Sequence, residues 1–294
     1  MAETIGFVGI GNMGWHMAGN LVKAGHAVIV HDLNAEMMQR FTGEMQGRSA
    51  ATLADLGEKC SVIITMLPNG NDVRTVMLDD RGLAESLDEG ALLIDMSSSD
   101  PVGTRELGKE LSARGLQFVD APVSGGVPGA RDATLAIMIG ADDKTAIDRA
   151  LPILNDLGKK LFQTGPLGSG HAMKALNNVV AGSIFIAMTE GLLTGRKFGL
   201  DPNVMLEIIN ASTGRSFTSE YVFAEHILNG KFATGFNLDL LSKDVRIAAD
   251  LARTIKADAP LLQLASQRWQ EAAHALGTGH DFTEAYRYWE SKSG

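Results

Sequence analysis

The sequence has little of what would place it outside the ordinary globular class. It contains a single cysteine, Cys60, which excludes an internal disulfide framework and fits a reducing compartment. Cys60 sits just ahead of an apolar stretch and reads as a small core residue rather than a reactive thiol. Basic residues are in the minority, 26 against 35 acidic ones, for a net charge of -9. That balance argues against nucleic acid and anionic membranes as main partners. The start, Met1-Ala2-Glu3, has no basic segment followed by a separate apolar one, so no signal peptide is expected. The longest apolar run is interrupted by Asn177 and Asn178 at one end and by Glu190 at the other, too short between them for a membrane span. The seven histidines do not cluster with carboxylates at ligand spacing, so no metal site is expected. There is no internal repeat and no low-complexity segment. These absences leave a soluble, cytoplasmic protein, and 294 residues with 45% hydrophobic content suit two domains of ordinary size.

What is present begins with a strand at 5–8 that runs into Gly9-Ile10-Gly11-Asn12-Met13-Gly14. A helix over 13–24 follows, then Gly25, a strand at 27–30, and His31-Asp32. Strand, Gly-x-Gly-x-x-Gly, helix, strand and acid in this order form a dinucleotide fingerprint. Gly9 permits the tight turn, Gly11 lets backbone approach a pyrophosphate, and Gly14 allows close helix–strand packing. The helix start offers N–H groups and a partial positive charge to phosphates. Asp32 is placed to hydrogen-bond the adenosine ribose and to repel a 2′-phosphate, favouring NAD over NADP. Its competing reading is a helix N-cap, with Asn34 nearby.

Further strands are expected at 61–66, 91–95, 117–119, 135–139 and 160–162, with a helix near 144–157. In open α/β sheets ligands gather beyond the carboxyl ends of strands. The turns Leu67-Pro68-Asn69-Gly70 and Met96-Ser97-Ser98-Ser99 are therefore candidates to touch a cofactor. Ser124-Gly125-Gly126 presents bare backbone N–H groups beside a hydroxyl, which suits a carboxylate; alone it reads equally as a flexible turn. Arg131 is either a second anion contact or a solvated arginine.

From Gly165 to Gly199 the pattern changes. Gly168-Ser169-Gly170-His171 leads into Lys174, Asn177 and Asn178, then a nearly unbroken apolar stretch. One long helix is expected, apolar around much of its circumference and so buried on several sides. The chain alternates strand and helix before it and is helical after it, so it sits where two domains meet. The expected domains are 1–164 and 165–294. Lys174 and Asn178 are four residues apart and share a helix face, with His171 three before the lysine. An ammonium and a carboxamide projecting together make an acid/base pair; the plainer reading is a surface lysine with solvated asparagines. Later helices are expected from Pro202 to before Ser212, then over 217–229, 238–255, 260–276 and 281–289. Lys243-Asp244 is either a lysine reaching a cofactor or a surface ion pair.

Taken together, four motifs resemble the β-hydroxyacid dehydrogenase family, which includes 3-hydroxyisobutyrate dehydrogenase and tartronate semialdehyde reductase. They are the Gly9–Gly14 fingerprint, Asp120-Ala121-Pro122-Val123-Ser124-Gly125-Gly126, Gly168-Ser169-Gly170 with Lys174 and Asn178, and Lys243-Asp244. The resemblance covers essentially the whole chain. It implies an α/β fold, with a Rossmann-like N-terminal domain and an all-helical C-terminal domain joined by a long interdomain helix. It implies Lys174 as catalytic lysine, Asn178 as the substrate-orienting residue and Ser124, Gly125 and Gly126 as the carboxylate loop. It further implies that Leu67, Pro68, Ser98 and Lys243 contact the cofactor alongside Gly9, Ile10, Gly11, Asn12, Met13 and Asp32. Members typically form homodimers or homotetramers.

The expected activity is reversible hydride transfer between NAD and a short 3-hydroxy carboxylate, giving a semialdehyde or 3-oxo acid. A lysine in water, with a pKa of roughly 10.4, is a poor base at neutral pH; burial and a positive nicotinamide ring would lower that value. Phe217 is expected near the substrate side group. Tyr288 and Lys292 have the spacing of a short-chain dehydrogenase pair but lie far from any strand. A 6-phosphogluconate dehydrogenase would need a larger helical domain. The alternatives are an NAD-binding sensor without chemistry, or a reductase of a related aldehyde acid such as tartronate semialdehyde or sulfolactaldehyde.

Overall fold

The computed structural model describes residues 3–293. In chain order the first part contains β1 (Thr4–Val8), α1 (Gly14–Lys23), β2 (Ala27–His31), α2 (Ala35–Met45), β3 (Arg48–Ser49) and α3 (Leu53–Gly57). It continues with β4 (Val62–Thr65), α4 (Gly70–Leu78), β5 (Leu92–Asp95), α5 (Pro101–Ser112) and β6 (Gln117–Asp120). The elements β7 (Val123–Ser124), α6 (Gly126–Arg131), β8 (Leu135–Gly140), α7 (Lys144–Asn155) and β9 (Gly158–Gly165) complete it. Helix α8 (Ser169–Phe198) follows, then α9 (Pro202–Asn210), α10 (Leu238–Thr254), α11 (Pro260–Leu276) and α12 (Ala285–Lys292).

Nine strands form one sheet among the described residues, in the order β3-β2-β1-β4-β5-β6-β8-β7, with β9 on β8. The first six strands pair in parallel; β8 runs antiparallel to β6 and β7. The six-strand order is that of a doubly wound dinucleotide fold, whose ligand crevice opens where the order reverses, between β1 and β4. Strands β4 and β5 are buried along their whole length, as parallel strands covered on both faces must be. Alternate residues serve the two faces. Ile5, Phe7, Val62 and Ile64 pack on one side, and Val8, Ile29, Ile63 and Leu93 on the other.

Gly25 lies two residues beyond the last residue of α1, after the C-cap Ala24, at φ +94°. It donates to Val22 O (3.0 Å) while His26 donates to Leu21 O (3.1 Å), the paired bonds by which a left-handed glycine terminates a helix.

The first compact unit runs through Lys174 and the second begins at Ala175. The first turn of α8 thus clusters with the sheet, because the N–H groups of Gly168 (2.7 Å) and His171 (2.8 Å) both donate to the Asp120 carboxylate at the end of β6.

The second unit is helical. Its core centres on Phe185 of α8, whose ring packs against Phe223 (5.2 Å between centroids), Trp269 (5.4 Å) and Phe282 (5.4 Å). Gly182 does not interrupt α8. Its carbonyl accepts from Trp269 Nε1 at 3.3 Å, and a Cβ there would lie 2.9 Å from the same nitrogen, so only a residue without a side chain admits the indole. Helix α8 is long and apolar enough to cross a membrane by length and composition, with mean hydropathy 1.4 over its most apolar window. Its Val179, Phe185, Leu192 and Leu193 instead fill this core. Thr218–Ile227, where an ordinary helix was expected, winds as a π-helix.

Cys60 is buried in the second face of the sheet core. Burial is the leading cause that pushes its thiol up to about 11. A thiol reagent at neutral pH is expected to leave the native protein unmodified and to titrate one thiol after denaturation; rapid labelling of the native protein would contradict this placement.

Candidate active site

The glycine loop is built as the fingerprint requires. Gly9 takes φ +92°, and its N–H donates to His31 O at 3.0 Å. A Cβ on Gly9 would stand 2.4 Å from Met66 O, and one on Gly14 would stand 1.9 Å from Gly9 O. At Gly11 a Cβ would meet nothing within 4 Å; the loop is open there on the side where backbone N–H groups can receive a phosphate. Helix α1 begins without a side-chain cap and with no acid in its first turn, so its positive end is not met by an anionic side chain from within the helix. Asn12 is exposed and Met13 half-buried at this mouth. The residues present fit a dinucleotide pyrophosphate.

Asp32 is joined to this loop. Its Oδ2 accepts from Ile10 N–H (2.8 Å) and its Oδ1 from Asn34 N–H (2.9 Å). The N-cap of α2 is Asn34, which accepts from Glu36 and Met37. Asp32 is therefore held at the loop, and the capping role belongs to its neighbour. Leu67 and the serine turn are also brought together, since Leu67 N–H donates to Ser97 Oγ at 2.9 Å. Beneath them Asp95, 1% exposed, accepts from Thr65 Oγ1, Ser97 N–H and Ser99 Oγ. Ser98 lies half-buried between two serines bonded to Asp95, and Pro68 is exposed.

Ser124 ends the two-residue strand β7, paired to Ala136 of β8, and Gly125 and Gly126 are exposed at the start of α6. The segment is thus anchored to the sheet on one side. Arg131 is paired with Asp132 at 2.8 Å and well exposed, which is the solvated reading.

Lys174 is half-buried on the second turn of α8. In the second unit, Asn178 is 7% exposed and donates from Nδ2 to Asp244 Oδ2 at 2.7 Å. Asn177 donates to Asn178 Oδ1 at 3.2 Å. Lys243 Nζ lies 3.2 Å from Asp244 Oδ1. The structure therefore brings together Asn178, Lys243 and Asp244. Phe217 is 72% exposed at the head of the π-helix, its ring 5.3 Å from that of Tyr221.

Three aspartates that do this holding were not assigned roles from the sequence. Asp95 and Asp120 are the last residues of their strands, and Asp244 follows Lys243, but position at a strand end carries no sign of burial. Burial is the largest cause raising the Asp120 carboxyl above its usual range; the charge of His171 and the N–H groups of His171 and Gly168 oppose it. Asp244→Ala leaves the Asn178 amide without its acceptor. It is expected to lower stability by about 1–3 kcal/mol, read by urea unfolding through Trp269 and Trp289; unchanged unfolding would show that the contact carries no weight.

Comparison with known proteins agrees with this layout. Residues 4–165 match the family model described as the NAD binding domain of 6-phosphogluconate dehydrogenase. Residues 168–289 match that described as NAD-binding of NADP-dependent 3-hydroxyisobutyrate dehydrogenase. The chain is 35% identical to 2-(hydroxymethyl)glutarate dehydrogenase of Eubacterium barkeri, over 99% of this chain and 96% of that protein. It is 34% identical to 3-hydroxyisobutyrate dehydrogenase of Pseudomonas aeruginosa, over 98% and 99%. The solved 3-hydroxyisobutyrate dehydrogenase of Mycobacterium tuberculosis with L-serine superposes with a TM-score of 0.89 at 31% identity, over 98% of this chain and 99% of that one. The fold and the glycine loop define a nicotinamide-dependent dehydrogenase. The chain belongs to the β-hydroxyacid dehydrogenase family.

Proposed function

We propose that the protein oxidises, reversibly, a primary alcohol on the carbon next to a carboxylate-bearing carbon, using NAD. The substrates named by two of its relatives share one core. 3-Hydroxyisobutyrate and 2-(hydroxymethyl)glutarate are both 3-hydroxypropanoates differing only in the group on carbon 2. L-Serine, held in the solved relative, has the same core. The observation that carries the reading is the pair on α8: Lys174, and one turn on, Asn178 held by Asp244.

The cofactor supplies the acceptor for the hydride that leaves the hydroxymethyl carbon. Gly9, Ile10, Gly11, Asn12 and Met13 hold its pyrophosphate, and Asp32 holds the ribose. Leu67, Pro68, Ser98 and Lys243 complete its surroundings. Lys174 takes the hydroxyl proton in oxidation and returns it in reduction. Asn178 orients the substrate oxygen, its own amide fixed by Asp244. Ser124, Gly125 and Gly126 receive the carboxylate through a hydroxyl and backbone N–H groups, and Phe217 faces the substituent on carbon 2. A cytoplasmic homodimer or homotetramer is part of this proposal, supported by apolar side chains such as Ile208, Leu261 and Leu264 that the single chain leaves exposed.

The test is NADH formation with 3-hydroxyisobutyrate, 2-(hydroxymethyl)glutarate, serine and glycerate, with 2-hydroxy acids as controls. Turnover confined to 3-hydroxy acids is expected. Turnover of 2-hydroxy acids alone would overturn the substrate class, and cofactor binding with no turnover would favour a sensor. Asp32 sets the cofactor preference. Two like charges about 4 Å apart near a protein surface repel by about 4 kcal/mol, so NADP is expected to be poorer than NAD by roughly 100-fold or more in kcat/KM. Equal use of both would show that Asp32 does not read the ribose.

A further inference from the structure

One buried ionisable group has no task in that chemistry. His171 is 1% exposed and lies between two carboxylates, with Nε2 3.5 Å from Asp95 Oδ2 and Nδ1 3.8 Å from Asp120 Oδ2. Its protons can be assigned from its partners. The Thr104 hydroxyl has one proton and donates it to Asp100 O at 2.9 Å. With that proton on Asp100 O, the same oxygen, 2.8 Å from His171 Nδ1, is an acceptor for a protonated Nδ1. Asp95 accepts from Thr65 Oγ1 (2.9 Å), Ser97 N–H (3.0 Å) and Ser99 Oγ (2.8 Å). Three donors thus point at that carboxylate. His171 Nε2, which has no hydrogen-bond partner, faces it. A bare nitrogen lone pair there would repel the carboxylate oxygen; a proton turns the contact into attraction. Arg105 also stands at this end of α8, its Nε donating to Leu167 O at 2.9 Å.

We infer that His171 is a buried imidazolium that ties the start of α8 to the serine turn after β5, and is thereby the positioning residue for Lys174. The inference rests on the reading of Lys174 as the proton-transfer group. The tie acts at two points of one residue. Its backbone N–H is bonded to Asp120 and its ring bridges Thr104 and Asp95. Lys174 follows three residues later on the same face. Asp95 in turn sets Ser97, which holds Leu67. The turn that touches the cofactor and the helix that carries the lysine are thus parts of one polar network within the first unit. A misplacement of about 1 Å can cost on the order of 100-fold in rate.

Two measurements on the full chain test this. The first is nitrogen NMR of histidine-labelled wild-type protein at neutral pH, with His171 assigned through its backbone amide. Both ring nitrogens are expected to be protonated; one protonated and one bare nitrogen would overturn the charge assignment. The second is a kinetic cycle of His171→Gln and Lys174→Ala. His171→Gln is expected to lower kcat roughly 10- to 100-fold with little change in substrate KM, and to lower it no further in the Lys174→Ala background. An equal loss in both backgrounds would overturn the positioning role while leaving Lys174 in place. Undiminished turnover of Lys174→Ala alone would instead remove the reading of Lys174, whatever the NMR shows.

Discussion

Lys174→Ala is expected to lower kcat by roughly 10²- to 10⁴-fold, the range that one general acid/base contributes, while NADH binding and the unfolding temperature stay near those of the unaltered protein. The expectation follows from where the residue stands. Lys174 is half-buried one turn inside α8 and lies outside the three hydrophobic clusters, so its loss opens no core cavity. The amide proposed to orient the substrate, Asn178, is held separately by Asp244. On the proposed roles, the variant keeps the substrate-orienting amide and loses the group that moves the proton. Because the interaction removed is one made as the proton moves, kcat should fall rather than KM rise. Turnover within a few-fold of wild type would remove Lys174 from the mechanism.

A pair of glycine variants should separate folding from cofactor binding. Gly9→Ala forces a side chain onto a residue at φ +92°, at a cost of about 1–3 kcal/mol. Its Cβ also meets Met66 O at 2.4 Å, and that backbone cannot retreat because Met66 N–H is bonded to Val8 O at 2.9 Å. The clash adds a further cost of about 1–3 kcal/mol. Gly11→Ala should behave differently. Its φ is not positive and the added Cβ meets nothing, so the apoprotein should unfold at the wild-type temperature. On the proposed reading of the loop the new methyl crowds the pyrophosphate, and crowding of about 1–3 kcal/mol corresponds to roughly 5- to 150-fold in Kd for NADH. Thermal unfolding beside NADH titration checks both. If Gly11→Ala bound NADH as wild type does, the loop would not be the phosphate cradle.

The elements that were legible in the sequence are those with a long or strongly patterned apolar signal. Strands β1, β4 and β5 follow from runs of buried residues, helix α8 from its long apolar stretch, and the span of α11 from Pro260 at its start and Gly277 after its end. The two-residue strands β3 and β7 were not legible, because a period of two needs several residues to show. Helix α2 went unassigned; Phe41 is its one fully buried residue, so it has almost no apolar stripe. The π-helical winding of Thr218–Ile227 cannot be told from an ordinary helix by spacing alone.

The site shows the same division. Glycine spacing and the Lys174–Asn178 interval are local, and were readable. The groups that hold them are remote in sequence. Asp120 lies 51 residues from His171, and Asn178 lies 66 from Asp244. No local pattern reveals that a carboxylate so far away will be buried against a given amide. His171 was read as sharing the face of Lys174; its burial between two aspartates is a property of the folded chain.

The most direct test of the central claim follows the transferred atom. The unaltered protein is given NAD and 3-hydroxyisobutyrate, or the 3-hydroxy acid on which it proves most active, fully deuterated at the hydroxymethyl carbon, and the reduced cofactor is weighed by mass spectrometry. One deuterium in each NADH formed is expected, with the matching aldehyde acid as product. NADH without the label, or reduction that proceeds equally well with no 3-hydroxy acid present, would contradict the account.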